Sequence, residues 1–312
     1  MVKWVTMKNF TIAIVILLIL AGGGFYMWKQ GAFTGDVVAM NENPVAAPAP
    51  KPAPLSTTTA TVPEDKTMTV VGTSVEGRKI TAYHYGSGSK ELLFVGGAHG
   101  GYEWNTVLVA YQLMDYLKAN PTSIPSGVSV TVIPVLNPDG LTKVVGTKER
   151  FTAADVPTSQ AQLVSGRYNA NNVDLNRNFD CNWKEKGVWQ NKEVSGGSAA
   201  FSEPEAKAFQ SYINAHKPTA VVEWFSSAGG VFSSRCSDTV LAETSAITKV
   251  YADASGYPAF KDFDFYEVTG DMVNWLAKNN IPAISVLLTN HSDTEWTKNE
   301  AGIKALLAYY AK

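Results

Sequence analysis

The chain has almost no net charge: 26 Lys and Arg stand against 28 Asp and Glu, a formal −2 at pH 7. Without a basic excess there is no electrostatic footprint for nucleic acid or for an anionic surface. Histidine is scarce at four residues, and cysteine at two. The cysteines, Cys181 and Cys236, permit a disulfide in an oxidising compartment, but their spacing alone neither joins them nor keeps them apart. No internal repeat is evident. What is present is globular in composition, 45% hydrophobic and 17% charged, over a length that admits one or two domains.

Charge is also absent from residues 10–21, an apolar run preceded by Lys3 and Lys8 and continued by Gly22-Gly23-Gly24-Phe25-Tyr26-Met27-Trp28. From Phe10 to Trp28 this is 19 residues, close to the roughly 20 needed to span a bilayer. Lysines before the run and aromatic residues after it orient the amino terminus to the cytoplasm and the rest of the chain outward. Residues 1–31 are therefore read as a membrane anchor, with a cleaved signal peptide as the alternative. Neither a small-x-small cleavage site nor a cysteine for lipid attachment stands out. Residues 32–66 are rich in Ala, Pro and Thr, as in Ala46-Ala47-Pro48-Ala49-Pro50. Such a stretch cannot bury enough apolar surface to fold and reads as a disordered tether. The folded domain is expected over residues 67–312, membrane-anchored on the extracytoplasmic side.

Within it, apolar strand candidates at residues 92–95, 128–136, 220–225 and 283–288 alternate with segments of helical periodicity. Helices are expected around Val107–Leu117, from a capping box at Ser202 and Glu205, and over residues 241–254, 271–278 and 295–311. This alternation predicts an α/β sheet covered on both faces. After the second strand, Asn137-Pro138-Asp139-Gly140 reads as a chain reversal. After the first comes Gly96-Gly97-Ala98-His99-Gly100-Gly101-Tyr102-Glu103-Trp104, at the carboxyl edge where α/β folds carry chemistry. His99 and Glu103 are donors that zinc accepts, although on their own a polar turn with a Glu opening a helix is the simpler account of them. The loop residues Arg167, Asn176 and Arg177 suit either a carboxylate grip or surface salt bridges.

Taken in series, GAHGGYEW, NPDG, GRYNANNVDLNRNF and YEVTGDMVNWL, with SVEGRKI, FSEPEA and TNHSDTEW, resemble the zinc carboxypeptidase family in a bacterial branch. These are the carboxypeptidase A-like metallopeptidases. The resemblance runs from about residue 68 to the end. It implies a mixed, twisted sheet of about eight strands with helices on both faces, and zinc as cofactor. His99 and Glu103 then match two metal ligands, with three residues between them where the family has two. Asn176 and Arg177 match the pair that binds the terminal carboxylate of a peptide. Arg167 matches the arginine that stabilises the oxyanion, a preorganised charge effect. Tyr266 matches the tyrosine that closes over substrate, and Val273 the side-chain selector, here apolar. The resemblance also implies the Cys181–Cys236 bridge, near the site mouth.

Two positions break the pattern. The family's third ligand is a His in a context like WHSA, and Phe225 holds its place in Trp224-Phe225-Ser226-Ser227. The family's catalytic Glu falls on Leu287, or on Leu288 if the register slips by one. Neither Phe nor Leu can bind zinc or take a proton from water. Glu223 shares a strand face with Phe225 and needs a partner in an apolar strand, either a metal or Arg177. The expected function is recognition of peptide or peptidoglycan-peptide C-termini with impaired peptidase activity. An active zinc carboxypeptidase and a purely structural envelope protein are the alternatives. A monomer is expected, with no nucleic-acid partner.

Overall fold

A computed structural model describes residues 67–146 and 150–312. The expected anchor and tether, residues 1–31 and 32–66, lie outside the described residues. Among the described residues no helix is long and apolar enough to cross a membrane.

The chain runs β1 (Met68–Thr73), β2 (Lys79–Gly86), β3 (Lys90–Val95), α1 (Trp104–Ala119), β4 (Val128–Ile133), α2 (Pro138–Val145) and α3 (Gln160–Ser165). A small hairpin follows, β5 (Lys186–Trp189) and β6 (Lys192–Ser195), and then α4 (Pro204–His216), β7 (Ala220–Ser226) and β8 (Gly230–Ser233). The last elements are α5 (Ala242–Ser255), β9 (Ala259–Phe260), α6 (Met272–Lys278), β10 (Ala283–Leu288) and α7 (Trp296–Tyr310). Eight strands form one mixed sheet in the order β1-β2-β4-β3-β7-β10-β8-β9. Its centre, β4-β3-β7-β10, is parallel, and the flanks carry the antiparallel pairings.

Parallel strands buried on both faces are largely apolar, which is why β7 and β10 are hydrophobic apart from Glu223, Ser226 and Ser285. Alternate side chains then divide between two cores. Phe94, Val222, Trp224 and Val286 pack with α1, α5 and α7 on one face. Leu93, Val95, Val221, Phe225 and Leu287 pack with α4 and α6 on the other. The expected sheet of about eight strands between helical layers is thus present.

Two local expectations are corrected. Asn137-Pro138-Asp139-Gly140 does not merely reverse the chain. Asn137 caps α2, accepting from Gly140 N at 2.8 Å, with Pro138 at the first helical position, where its missing N–H costs nothing. The strand before it correspondingly ends at Ile133 rather than residue 136. Nor does Ser202 form a capping box: the N-cap of α4 is Glu203, again followed by Pro, and Ser202 Oγ turns to Glu203 and Asn178.

Cys181 and Cys236 are disulfide-bonded, 55 residues apart with Cα atoms at 5.7 Å. The bridge holds the Cys181 segment where Phe179 N donates to Gly270 O and Gly270 N to Cys181 O. Closing a loop of this length removes about 4 kcal/mol of denatured-state entropy. Reducing agent should therefore lower the melting temperature by roughly 10 °C, and do nothing to a Cys181→Ser, Cys236→Ser variant. An unchanged native melting curve would show that the bridge adds no stability.

Candidate functional site

The carboxyl ends of β3, β7 and β10 open into a cavity of about 300 Å³. Nine of the candidate site residues from the sequence reach its lining; Glu223 and the two cysteines do not. His99 and Glu103 enter from the turn after β3, Arg167, Asn176 and Arg177 from the loops before β5, and Tyr266 and Val273 from the segment around the start of α6. Phe225 and Leu287 come from β7 and β10, where they are register partners across the parallel ladder. Side chains at paired positions of adjacent strands stand side by side on one face, so these two form a single apolar patch.

The turn after β3 depends on glycine. Gly100 has φ +46°, and a Cβ there would stand 2.7 Å from Gly166 O. This tight winding absorbs the extra residue between His99 and Glu103 and brings His99 Nδ1 to 2.9 Å from Glu103 Oε1. Glu103 is the N-cap residue of α1, but its side chain caps nothing. It points instead toward His99 and Arg167.

Arg167 is fully buried and donates to Asp174 Oδ2 from Nε at 3.0 Å and Nη2 at 2.8 Å. Its Nη1 is 3.8 Å from Glu103, and its guanidinium lies 4.4 Å from the Trp189 ring of the β5–β6 hairpin. Asp174 Oδ1 is 3.2 Å from His99 Nε2. Burial would raise the Asp174 carboxyl, yet Arg167, followed by His99 and Arg177, holds it far below the usual range. Asp174 escaped the sequence reading although it stands two residues before Asn176. Its importance lies in contacts with His99 and Arg167, which no local pattern announces. Trp189 carried no signal at all.

Asn176 is held from both ends: Nδ2 donates to Asp271 Oδ2 at 2.8 Å and Oδ1 accepts from Met272 N at 2.9 Å. The Arg177 guanidinium is buried and its hydrogen bonds go to backbone carbonyls, Asn176 O from Nη1, and Val188 O from Nε and Nη2. Among the described residues it makes no ion pair. Tyr266 packs beside it, ring centre 5.9 Å from Cζ, and burial raises the phenol above its ordinary value. His291, in the TNHSDTEW segment, also lines the cavity. Burial lowers its pKa, and its ring stands 4.6 Å from Tyr102.

Glu223 is completely buried on β7, and neither carboxylate oxygen has a hydrogen-bond partner. Burial, then the like charges of Asp271 and Glu103, raise its pKa well above the ordinary value. Arg177 is thus not its partner, and burial favours the neutral form of the acid.

A family model described as zinc carboxypeptidase matches residues 53–304. The chain belongs to the zinc carboxypeptidase family. It is 30% identical over 235 residues to a metallocarboxypeptidase A of Arthroderma otae, covering 65% of this chain and 53% of that one. A zinc carboxypeptidase of Simulium vittatum is 28% identical over 163 residues, 50% of this chain and 51% of its own. The chain thus spans about half the length of these relatives. Among solved structures, carboxypeptidase A from Helicoverpa armigera superposes with a TM-score of 0.60 at 18% identity, covering 78% of this chain and 67% of that one. The murein-tripeptide amidase of Escherichia coli O157 gives 0.54 at 21%, covering 78% and 91%. Both likenesses are of fold.

Zinc carboxypeptidases take their name from a metal, and the donors here can be tested against it. His99 and Glu103 are suitable: both ring nitrogens and Glu103 Oε2 are buried without an aligned hydrogen bond. Catalytic zinc needs three protein ligands and an open position. Opposite His99 stands the Phe225 ring, centroids 5.3 Å apart. Among the described residues no three His, Cys, Asp or Glu side chains converge to hold a metal. The residues present do not fit a catalytic zinc.

Proposed function

We propose that this member of the zinc carboxypeptidase family binds peptide C-termini by their free carboxylate and does not hydrolyse them. The observation that carries the reading is Arg177, a buried guanidinium lining the cavity with no carboxylate paired to it among the described residues. Of the five N–H groups of an arginine, three are bound to backbone carbonyls. One N–H remains on each terminal nitrogen, the fork that a carboxylate accepts. Tyr266 flanks that fork, and the second Nδ2 hydrogen of Asn176 remains open to the ligand. Phe225 and Leu287, in the places of the third metal ligand and the catalytic Glu, remove metal binding and proton abstraction while leaving the grip intact. Val273, buried in the same wall, favours an apolar C-terminal side chain.

Calorimetry with an N-acetylated dipeptide should give binding to the free acid and none to its amide. Arg177→Ala should weaken the acid roughly 10- to 100-fold, the worth of hydrogen bonds to a charged group. Equal binding of acid and amide would overturn the reading.

A second reading, an active zinc carboxypeptidase acting on exported or cell-wall stem peptides, is favoured by the surviving His99–Glu103 contact at 2.9 Å. About one zinc per native chain together with turnover would select it. We further propose that residues 1–31 anchor the chain and that residues 32–66 hold the domain outside the cytoplasmic membrane. A disulfide is at home in such a compartment.

A further inference from the structure

We propose that the inner end of the cavity reads the C-terminal side chain through the Ser285 hydroxyl, and that it selects a terminal tyrosine over a terminal phenylalanine. The inference rests on the carboxylate grip of Arg177 and names the residue that the grip presents. A terminal Cα carries three groups. Its carboxylate goes to Arg177, and its peptide nitrogen heads for the mouth because the chain continues through it. The side chain is left to fill the inner end.

That end is built in two rows across the sheet. Phe225 and Leu287 form the outer row, near the open ends of β7 and β10. Two residues inward, a step of about 6.6 Å, Ser285 lies between its register partners, Glu223 on β7 and Phe232 on β8. Side chains two apart on a strand share a face, so Ser285 and Leu287 line the same cavity, with Phe232 and Val273 beside them. Phe225, Leu287, Phe232 and Val273 are all more than nine-tenths buried. A ligand ring among them removes apolar area from water and finds two phenyl rings to pack on.

This apolar sleeve ends in polar groups with bonding capacity to spare. Ser285 is 7% exposed, on the cavity wall. Its neighbour Glu223 makes no hydrogen bond to it or to anything else described, so the serine hydroxyl is left for a ligand. Asn274 of α6 accepts from Arg235 N at 2.9 Å through Oδ1 and leaves Nδ2 without an acceptor among the described residues. The carboxylate of Asp271 is engaged on both oxygens, by Asn274 N at 2.8 Å and Asn176 Nδ2 at 2.8 Å. The floor therefore suits a neutral tip better than a cation. A phenol both donates and accepts, and its hydroxyl satisfies Ser285. A phenylalanine ring covers the serine and leaves it buried and unpaired, the situation in which a polar site rejects an analogue lacking one hydroxyl.

The test is calorimetry on the purified full-length chain with N-acetyl-alanyl-tyrosine and with the phenylalanine and lysine analogues. The tyrosine ligand should bind roughly tenfold tighter than the phenylalanine ligand, or more, and tighter than the lysine ligand. Ser285→Ala should bring the first ratio toward one by weakening tyrosine. Phenylalanine binding, undiminished in that variant, reports an intact fold. Equal or tighter binding of phenylalanine, or tightest binding of lysine, would overturn the proposal and leave the carboxylate grip standing. Binding of none of the three would overturn both. A tyrosine preference that survives Ser285→Ala would overturn the assignment to this residue.

Discussion

A Phe225→His, Leu287→Glu double variant is expected to bind about one zinc per chain and to release C-terminal residues from blocked dipeptides, with the native chain doing neither. The two positions are register partners on β7 and β10, so the new imidazole and carboxylate would stand side by side. The Phe225 ring already faces His99 at 5.3 Å, and His99 Nδ1 already faces Glu103 at 2.9 Å. A histidine at 225 completes a set of three protein ligands, the number a catalytic zinc takes. A glutamate at 287 supplies the general base, an effect typically worth about 100- to 10,000-fold. Each single variant should therefore fall far below the double one. Metal analysis by mass spectrometry and turnover of a chromogenic dipeptide decide the matter. A folded double variant without zinc would show that more than these two residues separates the site from hydrolysis, and a native chain with one zinc would reinstate the active reading.

Glu223→Gln should raise stability, and by an amount that grows with pH. Glu223 is wholly buried without a hydrogen-bond partner, and its pKa is raised above the ordinary value by burial and by Asp271 and Glu103. In the unfolded chain the same carboxyl ionises near pH 4.3, at about the reference value for Glu. Between that pH and the raised folded value, the folded protein holds a proton that the unfolded chain has lost. Stability is then greatest below the unfolded pKa and declines as pH rises, by up to about 1.4 kcal/mol per pH unit from this one group. Glutamine keeps the size and polarity of the protonated acid but cannot ionise, so it escapes the decline. Melting curves of both proteins at pH 5 and pH 8 should show a gap that is small at the first and several degrees wider at the second. A gap of the same size at both values would mean that Glu223 is ionised in the fold.

The parts of the fold visible in the sequence were those written in local pattern. The central strands are apolar because both faces are buried, and β10 fell on residues 283–288 as expected. The edges were less visible. β8 and β9 have four and two residues, too short for periodicity to register, and the β5–β6 hairpin lies among polar loop residues. One proline misled: Pro138 read as turn punctuation but stands at the first position of a helix.

The site divides similarly. Its parts could be named from motifs in series, and nine candidates did converge on one cavity. What could not be read was how those parts engage one another. Arg167 is tied to Asp174 and stacked on Trp189, residues 7 and 22 positions away by number, and Asn176 is tied to Asp271 across 95. Such pairings are settled by where the backbone brings charges together, and sequence spacing carries none of that. The expected pairing of Glu223 with Arg177 failed for a related reason: the Arg177 hydrogen bonds go to backbone carbonyls, which sequence spacing does not reveal.

The pairing of residues 225 and 287 makes the two positions interdependent. On the proposed reading, a histidine at 225 beside Leu287 would hold metal without a base, and a glutamate at 287 beside Phe225 would be one more carboxyl sunk in a hydrophobic wall. The adjacency works as a two-key lock, in which neither single change alone turns a binding cavity into a hydrolytic one.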